Sequence, residues 1–95
     1  MSYELRFLPQ ALKEWRKLDA SLRTQFKKKL AERLLNPRVP ADRLRGYDSV
    51  YKIKLRSAGY RLVYEVEDEV LTIYVIVAGK RAKNKVYAEL TRRKG

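Results

Sequence analysis

The chain has 95 residues, 45% of them hydrophobic, and this length suffices for one folded domain spanning residues 1–95 while excluding a second core. Its 23 basic and 11 acidic side chains give a formal net charge of +12, which favours nucleic acid or an anionic surface as a partner. Because cysteine and histidine are both absent, disulfides, thiolate metal sites and imidazole catalysis are excluded.

The N-terminal segment predicts a short strand followed by a helix. Tyr3, Leu5 and Phe7 alternate with charged residues, as in a strand with one buried face. Pro9 suits the first turn of a helix, and the apolar residues after it follow helical spacing as far as Leu18. We therefore expect the strand to lead directly into an amphipathic helix.

A second helix is predicted after a short break at residues 19–21, where Asp19 has capping potential. The apolar residues of this helix step by four along one face: Leu22, Phe26, Leu30 and Leu34. The helix should end near Asn36, because the residue before a proline disfavours helical dihedrals. Two helices with so short a link should form an antiparallel hairpin.

A connector rich in proline and glycine, residues 36–46, leads to three strand patterns separated by short turn sequences. The strand patterns cover residues 50–56, 60–67 and 70–77. We expect them to form an antiparallel meander. The third is apolar on both faces, so it should be the most central of the three, and Gly79 should end it.

The tail from Lys80 onward is strongly basic, and the spacing of Val86, Tyr87 and Leu90 permits a short helix. The predicted fold class is therefore α+β, with the order β-α-α-β-β-β and a basic C-terminal tail. The helix hairpin should pack on one face of a mainly antiparallel sheet. The other face is expected to be left to cations.

Charged and apolar residues alternate along the strand pattern at residues 51–56. Since successive side chains of a strand point to opposite faces, Lys52, Lys54 and Arg56 should share one face, and the next strand adds Arg61. Like charges on one sheet surface repel one another. We therefore interpret this cluster as a site for a polyanion.

The acidic residues are scattered, apart from Glu65, Glu67, Asp68 and Glu69, and three of these four lie at a predicted turn between two strands. A two-metal nuclease site is disfavoured at such a solvated position, because the carboxylates must converge in a protected cleft to hold the ions. We therefore expect neither a metal nor another cofactor.

RNA cleavage requires neither metal nor histidine, because the substrate's own 2′-hydroxyl can attack the adjacent phosphorus. The enzyme must then help to deprotonate that hydroxyl, stabilise the extra negative charge and protonate the leaving oxygen. Arginine suits the second task. A lysine whose pKa is lowered by neighbouring cations suits the first or the third. Tyr87 lies outside the predicted strands, where stacking on a nucleobase is plausible, whereas Trp15 and most tyrosines are expected to be structural.

Six segments, taken in order, resemble the RelE family within the RelE/ParE superfamily of toxin–antitoxin systems. They are residues 12–18 (LKEWRKL), 44–46 (LRG), 51–56 (YKIKLR), 59–64 (GYRLVY), 79–81 (GKR) and 86–87 (VY). Each segment alone would be a weak match, but the series spans essentially the whole chain. The helix link, the connector, the acidic turn and the last few residues fit the family pattern least well.

The resemblance implies a RelE-like microbial RNase-like fold and a ribosome-dependent endoribonuclease that cleaves mRNA in the ribosomal A site. It places five residues in the catalytic site: Lys52, Lys54, Arg61, Arg81 and Tyr87. By analogy, Lys52 would help to activate the 2′-hydroxyl and Lys54 would assist proton transfer at the leaving oxygen. Arg61 and Arg81 would stabilise the phosphate, and Tyr87 would stack on or orient the nucleotide.

The resemblance also implies partners, namely a cognate RelB-like antitoxin and the 70S ribosome with its rRNA and mRNA. We assign RNA and ribosome contact to ten further cations: Lys13, Lys17, Lys27, Lys28, Lys29, Arg45, Arg56, Lys80, Lys83 and Lys85. Because the sequence contains no apolar stretch of about 18 residues, we expect a cytoplasmic protein with no membrane partner.

Three alternatives remain open. A gyrase-inhibiting toxin of the same superfamily would bind a protein and would not need the five catalytic residues, so their presence argues against it. A plain RNA-binding domain would stall translation without cutting. A small DNA-binding regulator is the third, but the chain contains no helix-turn-helix signal.

Overall fold

A mixed four-stranded sheet with helices on both faces forms the protein, in a computed structural model that describes residues 2–80 and 85–94. The strands are β1 (Glu4–Phe7), β2 (Val50–Leu55), β3 (Tyr60–Glu67) and β4 (Thr72–Lys80). The helices are α1 (Pro9–Lys17), α2 (Ala20–Leu35) and α3 (Lys85–Lys94). The sheet order is β1-β4-β3-β2, with β1 parallel to β4 and the other pairs antiparallel. The predicted α+β class and the meander are confirmed.

The link between α1 and α2 is closed by an arginine rather than by the expected aspartate cap. Asp19 occupies the N-cap position of α2, but its side chain makes no capping hydrogen bond. Instead, Arg23 Nη1 donates to the carbonyl oxygens of Leu18, at 2.5 Å, and Arg16, at 3.2 Å. Arg23 thereby satisfies carbonyl groups that α1 leaves open at its C-terminal end.

The helices α1 and α2 cover one face of the sheet. Ala11 and Phe26 are fully buried there, and Tyr64 is the largest buried side chain of the sheet on that face. Trp15 packs half-buried against this core, with its ring centroid 5.4 Å from that of Phe7 and 6.3 Å from that of Phe26. The expected structural role of Trp15 is confirmed.

The opposite face is not left entirely to cations, because α3 covers part of it. Val86 and Leu90 of α3 are buried against the sheet, in a cluster completed by Leu44, Val50, Val63, Ile76 and Val77. A register shift opposite Val63 and Tyr64 brings two consecutive apolar residues of β4 into this cluster. The bulge therefore gives α3 an apolar surface to pack on.

The strand β4 begins later and ends later than its hydrophobic pattern predicts. Asp68–Val70 form a 3-10 turn, and Leu71 adopts a left-handed conformation with φ of 46°, so Val70 is not part of the strand. The carboxylate of Asp68 holds this turn, since it accepts hydrogen bonds from the Tyr3 hydroxyl and from Arg38 Nη2, both at 2.6 Å.

At its other end, β4 continues through Gly79 to Lys80, because β3 is long enough to pair with it as far as the Tyr60–Lys80 pair. The prediction that Gly79 ends the strand is therefore wrong. Among the described residues, no helix combines the length and apolarity needed to cross a bilayer.

One ion pair ties α1, α3 and β4 together. Arg93 on α3 is only 10% exposed and makes two hydrogen bonds of 3.0 Å to the carboxylate of Glu14 on α1. Arg93 also donates to the Ile76 carbonyl at 2.7 Å, and Glu14 accepts from the Ala78 amide at 3.1 Å. The pair thus satisfies backbone groups of β4 beyond the end of β1.

Replacing Glu14 by alanine should lower the free energy of unfolding by about 2 kcal/mol, because a nearly buried guanidinium loses its main partner. Glu89, 3.0 Å from Arg93, limits the loss. Urea unfolding measures the effect. The control is Glu4→Ala, which removes an exposed ion pair with Arg6 and should cost about 0.5 kcal/mol or less. Equal losses in the two variants would contradict the assigned role of Glu14.

Candidate active site

The strands β2 and β3 bring three of the predicted cations together on the face that α3 partly covers. Lys52 and Lys54 are two residues apart on β2, so they share that face, and Lys54 lies directly opposite Arg61 in the antiparallel register. Lys52 lies opposite Val63, whose side chain is in the core beneath α3. The cations therefore sit at the border of an apolar core.

Arg61 is not a solvated surface cation, because Tyr87 of α3 covers it. The Arg61 side chain is 9% exposed, and its Nη1 donates a hydrogen bond to the Tyr87 hydroxyl. The guanidinium carbon lies 5.4 Å from the centroid of the Tyr87 ring, within the range of a cation–π interaction. Residues that are 26 positions apart in the sequence thus form one unit.

Crowding of like charges changes the acid–base behaviour of Lys54. The neighbouring charge of Lys52 is the main cause that lowers the pKa of Lys54 below its usual value. Partial desolvation and then the charges of Arg61 and Arg56 lower this pKa further. The ammonium group of Lys54 therefore releases its proton more readily than that of an isolated lysine.

A polar network beneath β2 fixes the backbone at Lys52, and the sequence gives little sign of it. Arg33 on α2 donates from Nη1 to the Lys52 carbonyl at 3.2 Å and to the Tyr64 hydroxyl at 2.9 Å. Its Nη2 lies 2.6 Å from Asp42 Oδ2 in a largely buried ion pair. The Tyr64 hydroxyl in turn donates to the Pro37 carbonyl at 2.6 Å. Arg33 thus connects α2, the connector and the strand that carries both lysines.

Two cavities lie beside these residues. The first, which we call the cationic cavity, measures about 280 Å³ and is lined by Lys54, Leu55, Arg56, Gly59, Tyr60 and Arg61. Three of its six lining residues are cations, and the turn at its rim contains Gly59 in a left-handed conformation with φ of +69°. Its charge suits a phosphate group.

The second cavity, which we call the aromatic cavity, measures about 340 Å³ and lies between the turn at residues 44–47 and α3. It is lined by Leu44, Arg45, Tyr47, Lys52, Tyr87, Leu90 and Thr91. Tyr47 was not singled out from the sequence, where it looks like one more tyrosine of the sheet region. The available signal was Gly46 just before it, which is typical of a tight turn.

The structure locates most of the other predicted contact residues on the surface. Arg45 and Arg56 are exposed beside the two cavities, and Lys80 is exposed at the end of β4. Five lysines are exposed on the helices and form no ion pair among the described residues: Lys13, Lys17, Lys27, Lys28 and Lys29.

The side chains of three predicted site residues lie outside the described part of the structure. Arg81 and Lys83 lie outside the described residues. Lys85 begins α3, but its side chain is likewise outside the described part of the structure.

Asp68, in the acidic turn, uses its carboxylate for hydrogen bonds to other parts of the protein. Tyr3 and then Arg38 lower the pKa of Asp68 by hydrogen bonding to its carboxylate. Glu65 pairs instead with Lys94 of α3. Within residues 2–80 and 85–94, no three acidic side chains are grouped closely enough to hold a metal ion.

Comparison with known proteins identifies relatives over nearly the whole chain. The family model described as "ParE toxin of type II toxin-antitoxin system, parDE" matches residues 5–84. The mRNA interferase toxin RelE of Escherichia coli (strain K12) is 55% identical over 93 residues, which are 98% of each chain.

Two solved structures of E. coli proteins agree with the fold. A double mutant of the toxin RelE in the free state matches with a TM-score of 0.90 and 54% identity, covering 98% of each chain. The chain matched in the intact E. coli RelBE toxin–antitoxin complex gives a TM-score of 0.83 at 55% identity, covering 86% of this chain and all of that one.

Substituting Lys52 by methionine should raise the pKa of Lys54, because the largest cause of its lowering is removed. Titration of the lysine side-chain resonances by NMR measures this pKa directly. Arg56→Met is the matched control, since the charge of Arg56 ranks below those of Lys52 and Arg61 and should shift the pKa less. A Lys54 pKa unchanged by Lys52→Met would show that the two lysines are not coupled.

Proposed function

The chain belongs to the RelE/ParE family of type II toxins, and we propose that it is a ribosome-dependent endoribonuclease that cleaves mRNA in the ribosomal A site. Its relative of 55% identity is named an mRNA interferase toxin. The observation that carries the proposal is the convergence of four residues at two cavities, with Lys54 and Arg61 in the lining of the cationic cavity and Lys52 and Tyr87 in that of the aromatic cavity. A gyrase inhibitor would not need this arrangement, and the mRNA interferase assignment holds over that alternative.

The proposed reaction is an internal transesterification. The 2′-oxygen of the substrate loses its proton and forms a bond to the adjacent phosphorus, while the bond from phosphorus to the 5′-oxygen breaks. The products are a 2′,3′-cyclic phosphate and a 5′-hydroxyl, and the leaving oxygen takes up one proton. No water, metal or cofactor enters the step.

The lowered pKa of Lys54 supports this lysine as the group that accepts the proton of the 2′-hydroxyl. Lys52 would then protonate the leaving 5′-oxygen. This division reverses the one that the family resemblance implied, and both remain proposals. The charge of Lys52 is the main cause that lowers the pKa of Lys54, so the two lysines are suited to different steps of the proton transfer.

Arginine supplies the charge stabilisation in this proposal. Arg61 is held by Tyr87 at the wall of the cationic cavity, so its guanidinium is oriented before substrate arrives. Arg81 is assigned to the same phosphate by resemblance, and it directly follows the end of β4 in sequence. Tyr87 would orient the nucleotide next to the scissile phosphate.

The ribosome is proposed as the second polyanion, and the net charge of +12 supports this assignment. The exposed helix lysines and the basic residues around the two cavities would bind rRNA through its phosphates. These substrates place the site of action in the cytoplasm.

An antitoxin is the proposed protein partner. The related E. coli toxin occurs in a complex with its antitoxin. We propose a RelB-like antitoxin with an acidic or amphipathic segment for this chain, because such a segment complements a strongly basic surface.

Cleavage should be lost, by about 100-fold or more, when Lys54 is replaced by arginine, because arginine keeps the charge but cannot accept a proton. Primer extension on a defined mRNA in a purified translation system, with and without ribosomes, measures the cuts. Lys94→Arg makes the same chemical change at the end of α3, in an ion pair with Glu65 that arginine can keep, and should leave the rate unchanged. Arg81→Ala should also abolish the cuts.

The rate should rise with pH and level off above the pKa of Lys54, since only the neutral amine accepts a proton. In Lys54→Arg, any residual rate should lack this rise. Translation arrest without cuts would reject the nuclease in favour of a binding inhibitor. Unaffected translation would favour the gyrase alternative.

Ribosome binding by Lys28→Ala should weaken a few-fold, and the logarithmic slope of affinity against salt should fall by about one, as expected for one lost phosphate contact. Filter binding at several salt concentrations measures both quantities. The control is Arg6→Ala, because Arg6 lies on β1 and pairs with Glu4. An equal change of slope in both variants would argue against a specific helix contact.

A further inference from the structure

The cationic and aromatic cavities meet at the contact between Arg61 and Tyr87. Arg61 lines the first cavity, Tyr87 lines the second, and their side chains touch. The two lysines of β2 are divided in the same way, with Lys54 in the cationic cavity and Lys52 in the aromatic cavity. The two spaces are therefore neighbours, one charged and one largely apolar.

The wall of the aromatic cavity opposite Tyr87 is a tight turn with a defined conformation. The Tyr47 amide donates to the Leu44 carbonyl at 3.2 Å, and Gly46 between them has φ of +87°, as the third residue of a type II turn requires. Arg43 Nη1 donates to the Tyr47 carbonyl at 2.9 Å, and the Leu44 amide donates to the Val50 carbonyl at 2.8 Å. The backbone at Tyr47 is thus fixed before any ligand binds.

The rest of the protein buries the Tyr47 side chain only in part. It is half-buried against the core beneath α3, as is Tyr87. Among the hydrogen bonds of the described residues, none involves the Tyr47 hydroxyl. By contrast, the hydroxyls of Tyr51 and Tyr64 are both engaged. Within the described part of the chain, the Tyr47 hydroxyl is therefore available to a ligand in the aromatic cavity.

Stacking of the nucleotide on Tyr87 is what the family resemblance implies, and we propose that Tyr47 is a second aromatic residue of the same base-binding cavity and determines which bases are preferred. The proposal rests on the proposed nuclease function and identifies the base-binding part of that site. A nucleotide joins a charged phosphate to a flat apolar base, and the two adjacent cavities match these two parts.

The volume and the lining support this occupant. A cavity of about 340 Å³ lies at the lower end of the range for small-molecule sites, which suits a single base rather than a larger ligand. Stacking on tyrosine binds any base, whereas the Tyr47 hydroxyl supplies a polar group that can distinguish base edges.

The first test compares single-turnover cleavage rates on ribosomes whose A-site codons differ at one base. The variant Tyr47→Leu keeps an apolar side chain against the core but removes the aromatic face and the hydroxyl. We compare the cleavage rate of the codon that is cut fastest with that of the codon that is cut slowest. The ratio of these two rates should shrink about tenfold in Tyr47→Leu. In Tyr47→Phe, which keeps the ring but loses the hydroxyl, that ratio should shrink as well, because stacking alone does not distinguish the bases.

Tyr74→Leu is the control, because Tyr74 is a half-buried tyrosine on β4 that lines neither cavity. In Tyr74→Leu, the ratio of cleavage rates between the fastest-cut and the slowest-cut codon should equal that of the wild type. The proposal is overturned if Tyr47→Leu slows all codons by one common factor or changes no rate, since either result gives Tyr47 a structural role only.

The second test does not depend on cleavage. Trinucleotides that carry 2-aminopurine at each position in turn, with a 2′-deoxy sugar at the attacking nucleotide, are titrated with the free protein. With wild type and Tyr47→Phe, stacking in the cavity should quench the fluorescence of the trinucleotide that carries 2-aminopurine at one particular position. With Tyr47→Leu, the quenching of that trinucleotide should be several-fold weaker. Absence of quenching with wild type overturns the base site, whether or not the protein cuts mRNA. A wild type that quenches but never cuts supports the cavity and rejects the nuclease.

Discussion

The packing of α3 against the sheet is the interaction on which the site depends. It covers Val63 with apolar side chains and Arg61 with the ring of Tyr87, so one helix completes both a core and a cation cluster. The bulge in β4 makes this possible by adding an apolar residue to the covered area. Arg93, bonded to the Ile76 carbonyl within that bulge, fixes the helix where the extra residue lies.

The cations at the border of this core oppose folding, and they are also the residues to which the proposed function assigns catalysis. Lys52, Lys54 and Arg61 repel one another, and the repulsion appears as the lowered pKa of Lys54. The Arg61–Tyr87 contact and the Arg33 network hold these residues in place against that repulsion. A negatively charged phosphate would relieve it. The electrostatic repulsion is therefore a property of the free site that a bound phosphate would reduce. The backbone that carries these cations, by contrast, is regular strand.

Local sequence patterns predicted the helices and strands, because each of these depends mainly on the residues within it. The alternation at residues 51–56 placed both lysines on one face, and the spacing from Leu22 to Leu34 predicted α2. What the sequence did not reveal depends on contacts between distant residues. Asp68 is drawn into a turn by a tyrosine 65 positions away. Likewise, burial of Arg61 and the exposure of Tyr47 to a cavity follow from where α3 packs, which no local pattern specifies.

The strand β2 lies at the edge of the sheet, where free backbone groups invite pairing with another molecule. Two of its outward carbonyl oxygens are already occupied, that of Val50 by the Leu44 amide and that of Lys52 by Arg33. Along the rest of the strand, Lys52 and Lys54 oppose such pairing, because a second copy would bring like charges together. The two lysines to which we assign proton transfer thus also disfavour pairing of this edge with a second copy. Removing both should therefore open the strand edge to such pairing as well as remove the proposed proton-transfer groups.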